Sequence, residues 1–175
     1  YIGSHTIIDI FENTDWDVIS IDDYSTSSEE TYKRIERITG RKVMFYKVDI
    51  KNYEAIHKVV SQYENIQGII HFAAHKWVGD SVENPLKYYN NNIGGLVNIL
   101  KIQKEQNISN FIFSSSCSVY GNIEELPVTE NSKLNKTESP YAYTKQVGEN
   151  VISDFIRANL NLKAISLRYF NPVGA

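Results

Sequence analysis

Five short runs of consecutive apolar residues, separated by longer stretches with helical spacing, constrain this chain more than any other feature. The runs are Val18–Ile21, Val43–Val48, Gly68–Phe72, Phe111–Ser115 and Ala164–Arg168. They are rich in β-branched and aromatic residues on successive positions, as strands covered on both faces must be. The first two end at acids, Asp22–Asp23 and Asp49. Between the runs, Tyr53, Ile56, Val59, Val60 and Tyr63 recur three or four residues apart. Leu86, Tyr89, Ile93, Leu96, Val97 and Leu100 form a longer stripe, and Val147, Val151, Ile152, Phe155 and Ile156 another. Pro85 and Pro140 stand where a first helical turn tolerates proline. Residues 5–12 and 29–38 also read as helices, and residues 122–139 as a polar surface loop. The alternation implies an α/β fold, a doubly wound parallel sheet of Rossmann type with right-handed crossovers. The chain opens on a helix where that fold expects a strand. The expectation is therefore a partial domain over residues 1–175 that lacks its first, central strand.

Composition narrows the classes of partner. With 175 residues, 42% of them hydrophobic, the chain can bury one core of ordinary domain size. Its net charge of −3, without basic clusters, gives no footing for nucleic acid or for an anionic membrane surface. No apolar run approaches the roughly 20 residues that span a bilayer, and the N-terminus lacks the pattern of a signal peptide. The single cysteine, Cys117, excludes an internal disulfide and fits a reducing compartment, so a cytoplasmic location is expected. His5, His57, His71 and His75 show no metal-ligand spacing, and no metal is expected.

The chemistry-bearing residues gather at the expected strand ends. Gly3 opens the first helix and stands about 20 residues before Asp22. In a dinucleotide fingerprint the last glycine permits close helix–strand packing, with pyrophosphate at the helix N-terminus. A plainer reading of Gly3 is an ordinary packing residue. Asp22 closes its strand where a carboxylate accepts from both adenosine ribose hydroxyls and repels a 2′-phosphate, which favours NAD over NADP. A solvated loop acid is the alternative. Tyr141 and Lys145 share one face at the start of a helix. Their spacing alone is weak, since a chain this rich in tyrosine and lysine yields about one such pair by chance. A tyrosine near pKa 10 becomes a base at neutral pH only if its phenolate gains roughly 4 kcal/mol of preferential stabilisation. A lysine ammonium and a cationic nicotinamide are the expected sources. Ser114, Ser115 and Ser116 end the fourth strand, where ligands bind in open α/β sheets. No Gly-x-Ser-x-Gly elbow surrounds them, which disfavours a serine hydrolase.

Six motifs occur in order: Tyr1-Ile2-Gly3-Ser4-His5, His71-Phe72-Ala73-Ala74-His75-Lys76-Trp77-Val78-Gly79-Asp80-Ser81, Tyr88-Tyr89-Asn90-Asn91-Asn92, the triple serine with Val119-Tyr120-Gly121, Ser139-Pro140-Tyr141, and Arg168-Tyr169-Phe170-Asn171-Pro172-Val173-Gly174-Ala175. Together they resemble the UDP-glucose 4-epimerase family of extended short-chain dehydrogenases/reductases. The resemblance implies reversible interconversion of UDP-glucose and UDP-galactose, in galactose metabolism, through a 4-keto sugar and a tightly held NAD. It implies that Tyr141 moves the C4 hydroxyl proton, that Lys145 holds the nicotinamide ribose, and that Ser116 bonds the same sugar oxygen. It places Tyr1, Ile2, Gly3, Asp22, Asp49, Ile50, Phe72, Ala73, Ala74, Lys76, Asn91, Ser114, Tyr141, Lys145 and Tyr169 around the cofactor. It assigns Lys76, Ser114, Ser116, Tyr141 and Asn171 to the UDP-sugar. It further implies a homodimer through the helices beginning near Pro85 and Pro140, two more glycines upstream of residue 1, and a substrate domain beyond residue 175. On its own, the 175-residue segment is expected to lack epimerase activity. The rival within the family, a nucleotide-sugar 4,6-dehydratase, uses an Asp-Glu pair that would fall at Cys117 and Ser118, and neither is acidic. A cofactor-binding module without turnover is the rival of another class.

Overall fold

The computed structural model describes residues 1–173; Gly174 and Ala175, the end of the last motif, lie outside the described residues. In chain order the elements are α1 (Ile2–Asn13), β1 (Ile19–Asp22), α2 (Glu30–Thr39), β2 (Met44–Lys47), α3 (Tyr53–Val60) and β3 (Gly68–His71). They continue with α4 (Val78–Glu83), α5 (Pro85–Tyr88), a π-helical turn (Tyr89–Gly94), α6 (Gly95–Glu105), β4 (Asn110–Ser116), a 3₁₀ turn (Cys117–Tyr120), α7 (Pro140–Ala158) and β5 (Lys163–Tyr169). All strand pairings are parallel. Among the described residues the strands form two sheets, β1–β2 and β3–β4–β5, with no ladder between β1 and β3.

The first sheet carries α1 and α2 on a cluster of Phe11, Tyr32, Ile35 and Val43, with Ile7, Ile8 and Ile10 against it. The last carbonyls of a helix lack internal partners, and Arg41 supplies them for α1. Its Nη1 donates to Phe11 O (3.2 Å) and Thr14 O (2.8 Å), and its Nη2 to Trp16 O (2.7 Å). The main core joins Ile50, Ile56, Leu96, Ile99, Leu100, Ile102, Phe111, Phe113 and Ile152 beneath α3, α6 and α7. Close approach is built into it: a Cβ on Gly148 of α7 would stand 2.8 Å from Phe113 Cζ. Asn52 starts α3 as its cap, its Oδ1 accepting from Ala55 N–H at 3.1 Å.

The structure corrects the expectation of strands covered on both faces. Phe111, Phe113 and Ser115 of β4 are buried. On the opposite face of the same sheet Ile165 is 60% exposed, and Ile70 and Leu167 are each 38% exposed. The helices α6 and α7 cover one face only, so burial along β4 alternates with period two.

Candidate active site

The strand ends converge on one side of the molecule. At the end of β1, Asp22 Oδ1 accepts from Tyr24 N–H (2.7 Å) and from Ser27 Oγ (2.7 Å). Burial raises the neighbouring Asp23 carboxyl, but hydrogen bonds from Ser25 and the charges of His75 and Lys51 outweigh that and hold it low. The charges of His75 and Lys51 place the ends of β1, β2 and β3 within electrostatic reach of one another.

Helix α1 fits the role of a pyrophosphate cradle. Its N-cap is Tyr1, with no side-chain capping bond and no acid in the first turn. The first amides are therefore free of a competing carboxylate. A Cβ on Gly3 would come to 3.4 Å from Phe72 Cδ2, so the first turn lies directly against the segment that follows β3. Phe72, Ala73 and Ala74 are half-buried there, and Lys76 is exposed. This donor set suits a dinucleotide.

At the end of β2, Asp49 pairs with Lys51 (3.0 Å) and its Oδ1 accepts from Lys51 N–H (2.8 Å). Ile50 lies elsewhere. Its side chain is 7% exposed and packs in the core, where a Cβ on Gly95 would meet its Cδ1 at 2.4 Å. The Ile50 side chain packs into the core, so only its backbone is left to reach an adenine; its carbonyl accepts from Asn98 (3.1 Å).

The end of β4 and the start of α7 bring Ser114, Ser116, Tyr141 and Lys145 together. Ser139 caps α7 by accepting from Ala142 N–H (3.2 Å), and Pro140 fills the first turn. Lys145 is 3% exposed and its Nζ donates to Ser114 O at 2.6 Å. The same ammonium stands 6.0 Å from the Tyr141 ring centroid and 4.9 Å from that of Phe113. Burial lowers the Lys145 pKa to about 8. It also lowers that of fully enclosed His71 to about 3, with the Lys145 charge adding to the effect, so His71 is a neutral imidazole stacked on Phe111 and Phe113.

The expected acidification of Tyr141 by lysine is absent here. Burial pushes the phenol above its ordinary value, the Ser116 hydroxyl pulls it partly back, and the Cys117 thiol adds to the rise. Lys145 is anchored on the Ser114 carbonyl, with its ammonium 6.0 Å from the Tyr141 ring centroid, and does not hydrogen-bond the phenol. A further positive charge is needed before the phenol can act as a base near neutral pH.

Ser116 Oγ accepts from Ser118 N–H (3.2 Å) and from Ser118 Oγ (2.9 Å), which turns the chain after β4. Asn91 is buried beside Asn92 in the π-helical turn. Tyr169 is half-buried at the end of β5, opposite Ser116 in the ladder, and Asn171 is exposed just beyond it. Two groups behind this cluster escaped the sequence reading. Glu149 accepts from Ser115 Oγ (2.5 Å) and pairs with Arg168 (2.8 Å), locking α7 to β4 and β5. Asn92 and Thr144 bond across from the π-helical turn to α7 (3.0 Å). The only sequence signal for either was a polar residue on an otherwise apolar stripe. Among the described residues no group of three or more His, Cys, Asp and Glu is placed to hold a metal, and no helix is long and apolar enough to cross a membrane.

Known proteins are similar to this chain along its whole length. The chain is 44% identical over 179 residues to a UDP-glucose 4-epimerase of Schizosaccharomyces pombe, covering all of this chain and 50% of that protein. It is 40% identical over 175 residues to the UDP-glucose 4-epimerase of Pasteurella multocida, covering all of this chain and 51% of the relative. The crystal structure of UDP-glucose 4-epimerase from Bifidobacterium longum, in complex with NAD+ and UDP, superposes with a TM-score of 0.96 at 40% identity. That match covers all of this chain and 52% of the other. The chain thus spans about half the length of the curated relatives it matches. Residues 1–175 match a single family along their whole length, and the chain belongs to the NAD dependent epimerase/dehydratase family.

Proposed function

We propose that this chain is the NAD-binding part of a UDP-glucose 4-epimerase, which interconverts UDP-glucose and UDP-galactose and serves galactose metabolism. The observation that carries this reading is the meeting of Tyr141, Ser116 and Lys145 at the end of β4, beside a glycine-opened helix start. Relatives of this name at about 40% identity support the substrate class. NAD+ supplies, when bound, an acceptor for the hydrogen at sugar C4 and a positively charged ring.

The chain's own residues do the rest. Tyr141 takes the proton from the C4 hydroxyl at its phenolic oxygen and later returns it. Ser116 bonds the same sugar oxygen and holds the proton's path short. Lys145 keeps its ammonium at the floor of the site, fixed by Ser114 O, with the nicotinamide ribose as its second partner. Gly3 and the first amides of α1 hold the pyrophosphate, and Asp22 the adenosine ribose. Asp49 and the Ile50 amide border the adenine, and Phe72, Ala73, Ala74 and Asn91 line the cofactor's other side. Lys76 and Asn171, both exposed at the rim, meet the UDP-sugar. Because the oxidation is undone within one turnover, the cofactor stays bound. The whole protein pairs as a homodimer through the helical segments that begin at Pro85 and Pro140.

The full-length protein, purified without added cofactor and supplied with UDP-galactose, tests the reading. UDP-glucose should accumulate with no net gain of reduced nicotinamide. A 4-keto-6-deoxy sugar product would assign the protein to the dehydratases instead, and no conversion would contradict both.

A further inference from the structure

The Gln146 side chain is half-buried in α7, directly after Lys145. Its Nε2 donates to two backbone carbonyls, Val119 O at 2.7 Å and Asn135 O at 2.8 Å. Both donor hydrogens are used within the protein. The orientation is fixed, because a flipped amide would set its oxygen against two carbonyl oxygens. Val119 is fully buried, so its carbonyl needs a partner inside the protein.

Both segments that Gln146 holds lead to the site. Val119 belongs to the 3₁₀ turn Cys117–Tyr120, which begins at Ser116 as its cap. Asn135 lies where the polar loop after Gly121 returns to this turn. Its N–H donates to Tyr120 O (3.2 Å) and its Nδ2 to Asn122 O (2.8 Å). The two strands of chain touch closely: Gly121 has φ +63°, and a Cβ on it would stand 2.4 Å from Lys136 O. From there the chain runs through Ser139, the cap of α7, to Tyr141. Lys145 meanwhile ties α7 to Ser114 O, just before Ser116. Two consecutive residues of α7 therefore hold the chain on either side of Ser116.

We infer that Gln146 is a positioning residue: with Lys145 holding Ser114 on one side and Gln146 holding Val119 on the other, α7 brackets Ser116 and fixes the gap between its hydroxyl and the Tyr141 phenol. The inference rests on the proposed epimerase reading. The Ser116 hydroxyl already draws the phenol pKa down from where burial alone would put it, so the gap between them has a chemical consequence. Misplacing reacting groups by about 1 Å can cost about a hundredfold in rate.

The test uses the full-length enzyme as wild type, Gln146→Met, Gln146→Glu, Ser116→Ala, and the double variant of Gln146→Met with Ser116→Ala. Methionine keeps the length of the side chain and removes both donors. Glutamate keeps the shape and sets a carboxylate against two carbonyls. Gln146→Met should lower kcat for UDP-galactose by about tenfold, and Gln146→Glu by more, with KM and bound NAD close to wild type. The acid limb of the kcat profile should move to higher pH in Gln146→Met, because a phenol that loses the Ser116 bond is harder to ionise. A residue that served folding alone would leave this limb in place. In the double variant the loss should barely exceed that of Ser116→Ala, since Gln146 acts through Ser116. Wild-type kcat with an unmoved limb in Gln146→Met, or losses that multiply in the double variant, would overturn the inference. If Gln146→Glu does not fold, Gln146→Met and the double variant decide alone. A wild-type enzyme that fails to convert UDP-galactose would instead overturn the epimerase reading.

Discussion

Lys145 Nζ donates to Ser114 O at 2.6 Å, while the Tyr141 ring centroid stands 6.0 Å from the same ammonium. The cation is therefore anchored to the strand that carries Ser116, and it lies beneath the phenol without bonding to it. This arrangement separates two tasks. The backbone carbonyl fixes where the charge sits, and the charge is free to act on whatever enters above it. Burial makes the charge expensive, which is visible in the lowered Lys145 pKa.

Lys145→Met should stabilise the folded protein near pH 7 while abolishing turnover. The folded-state pKa of about 8 lies below the ordinary 10.5. Between those values the unfolded chain keeps a proton that the folded chain has released. Stability of the wild type therefore rises with pH across that window, and the cost of the buried charge is full below it. The advantage of the methionine variant, on the order of 3 kcal/mol near pH 7, should shrink as pH climbs from 8 toward 10.5. Denaturant unfolding of both proteins at several pH values measures it.

Gly148→Ala should separate the two halves of the site. The added Cβ would fall 2.8 Å from Phe113 Cζ and 3.3 Å from Leu96 Cδ2, so α7 must lift from β4. Overpacking of this kind costs about 1–3 kcal/mol. Because Tyr141 rides on α7 and Ser116 on β4, kcat should fall as well. Thermal unfolding and steady-state kinetics on one preparation check both effects.

Glu149→Ala should be among the most destabilising single changes. It leaves the Arg168 guanidinium, whose side chain is 20% exposed, without its carboxylate. Loss of one partner from such a pair costs about 3–5 kcal/mol. The exposed pair Glu30–Lys33 offers the contrast, since breaking a surface pair costs at most about 1 kcal/mol. Chemical denaturation of Glu149→Ala and Glu30→Ala side by side would show the difference.

The fold was largely legible because short apolar runs and helical stripes report directly on burial. Each strand lies within a residue or two of its apolar run, and the helix at residues 140–158 begins at the expected proline. Val78–Glu83 was not legible: six residues with a glycine inside are too few to display a period. The open face bearing Ile165 and Leu167 could not be foreseen either, because an apolar residue reads as buried whether or not anything covers it. In the site, four-residue spacing put Tyr141 and Lys145 on one helix face, while Ser116 joined them only through the family resemblance. The partner of Lys145 was not legible, since a backbone carbonyl leaves no trace in residue identity. Ile50 shows the same limit, for an isoleucine beside Asp49 serves a core or a ligand equally well.

The central claim is that Tyr141 transfers the proton. The most direct measurement is the turnover of UDP-galactose by full-length Tyr141→Phe, with bound NAD quantified in the same sample. Deleting a general acid–base group should lower kcat by about 10²–10⁴-fold while NAD remains at wild-type occupancy. Turnover within a few-fold of wild type at full occupancy would contradict the account.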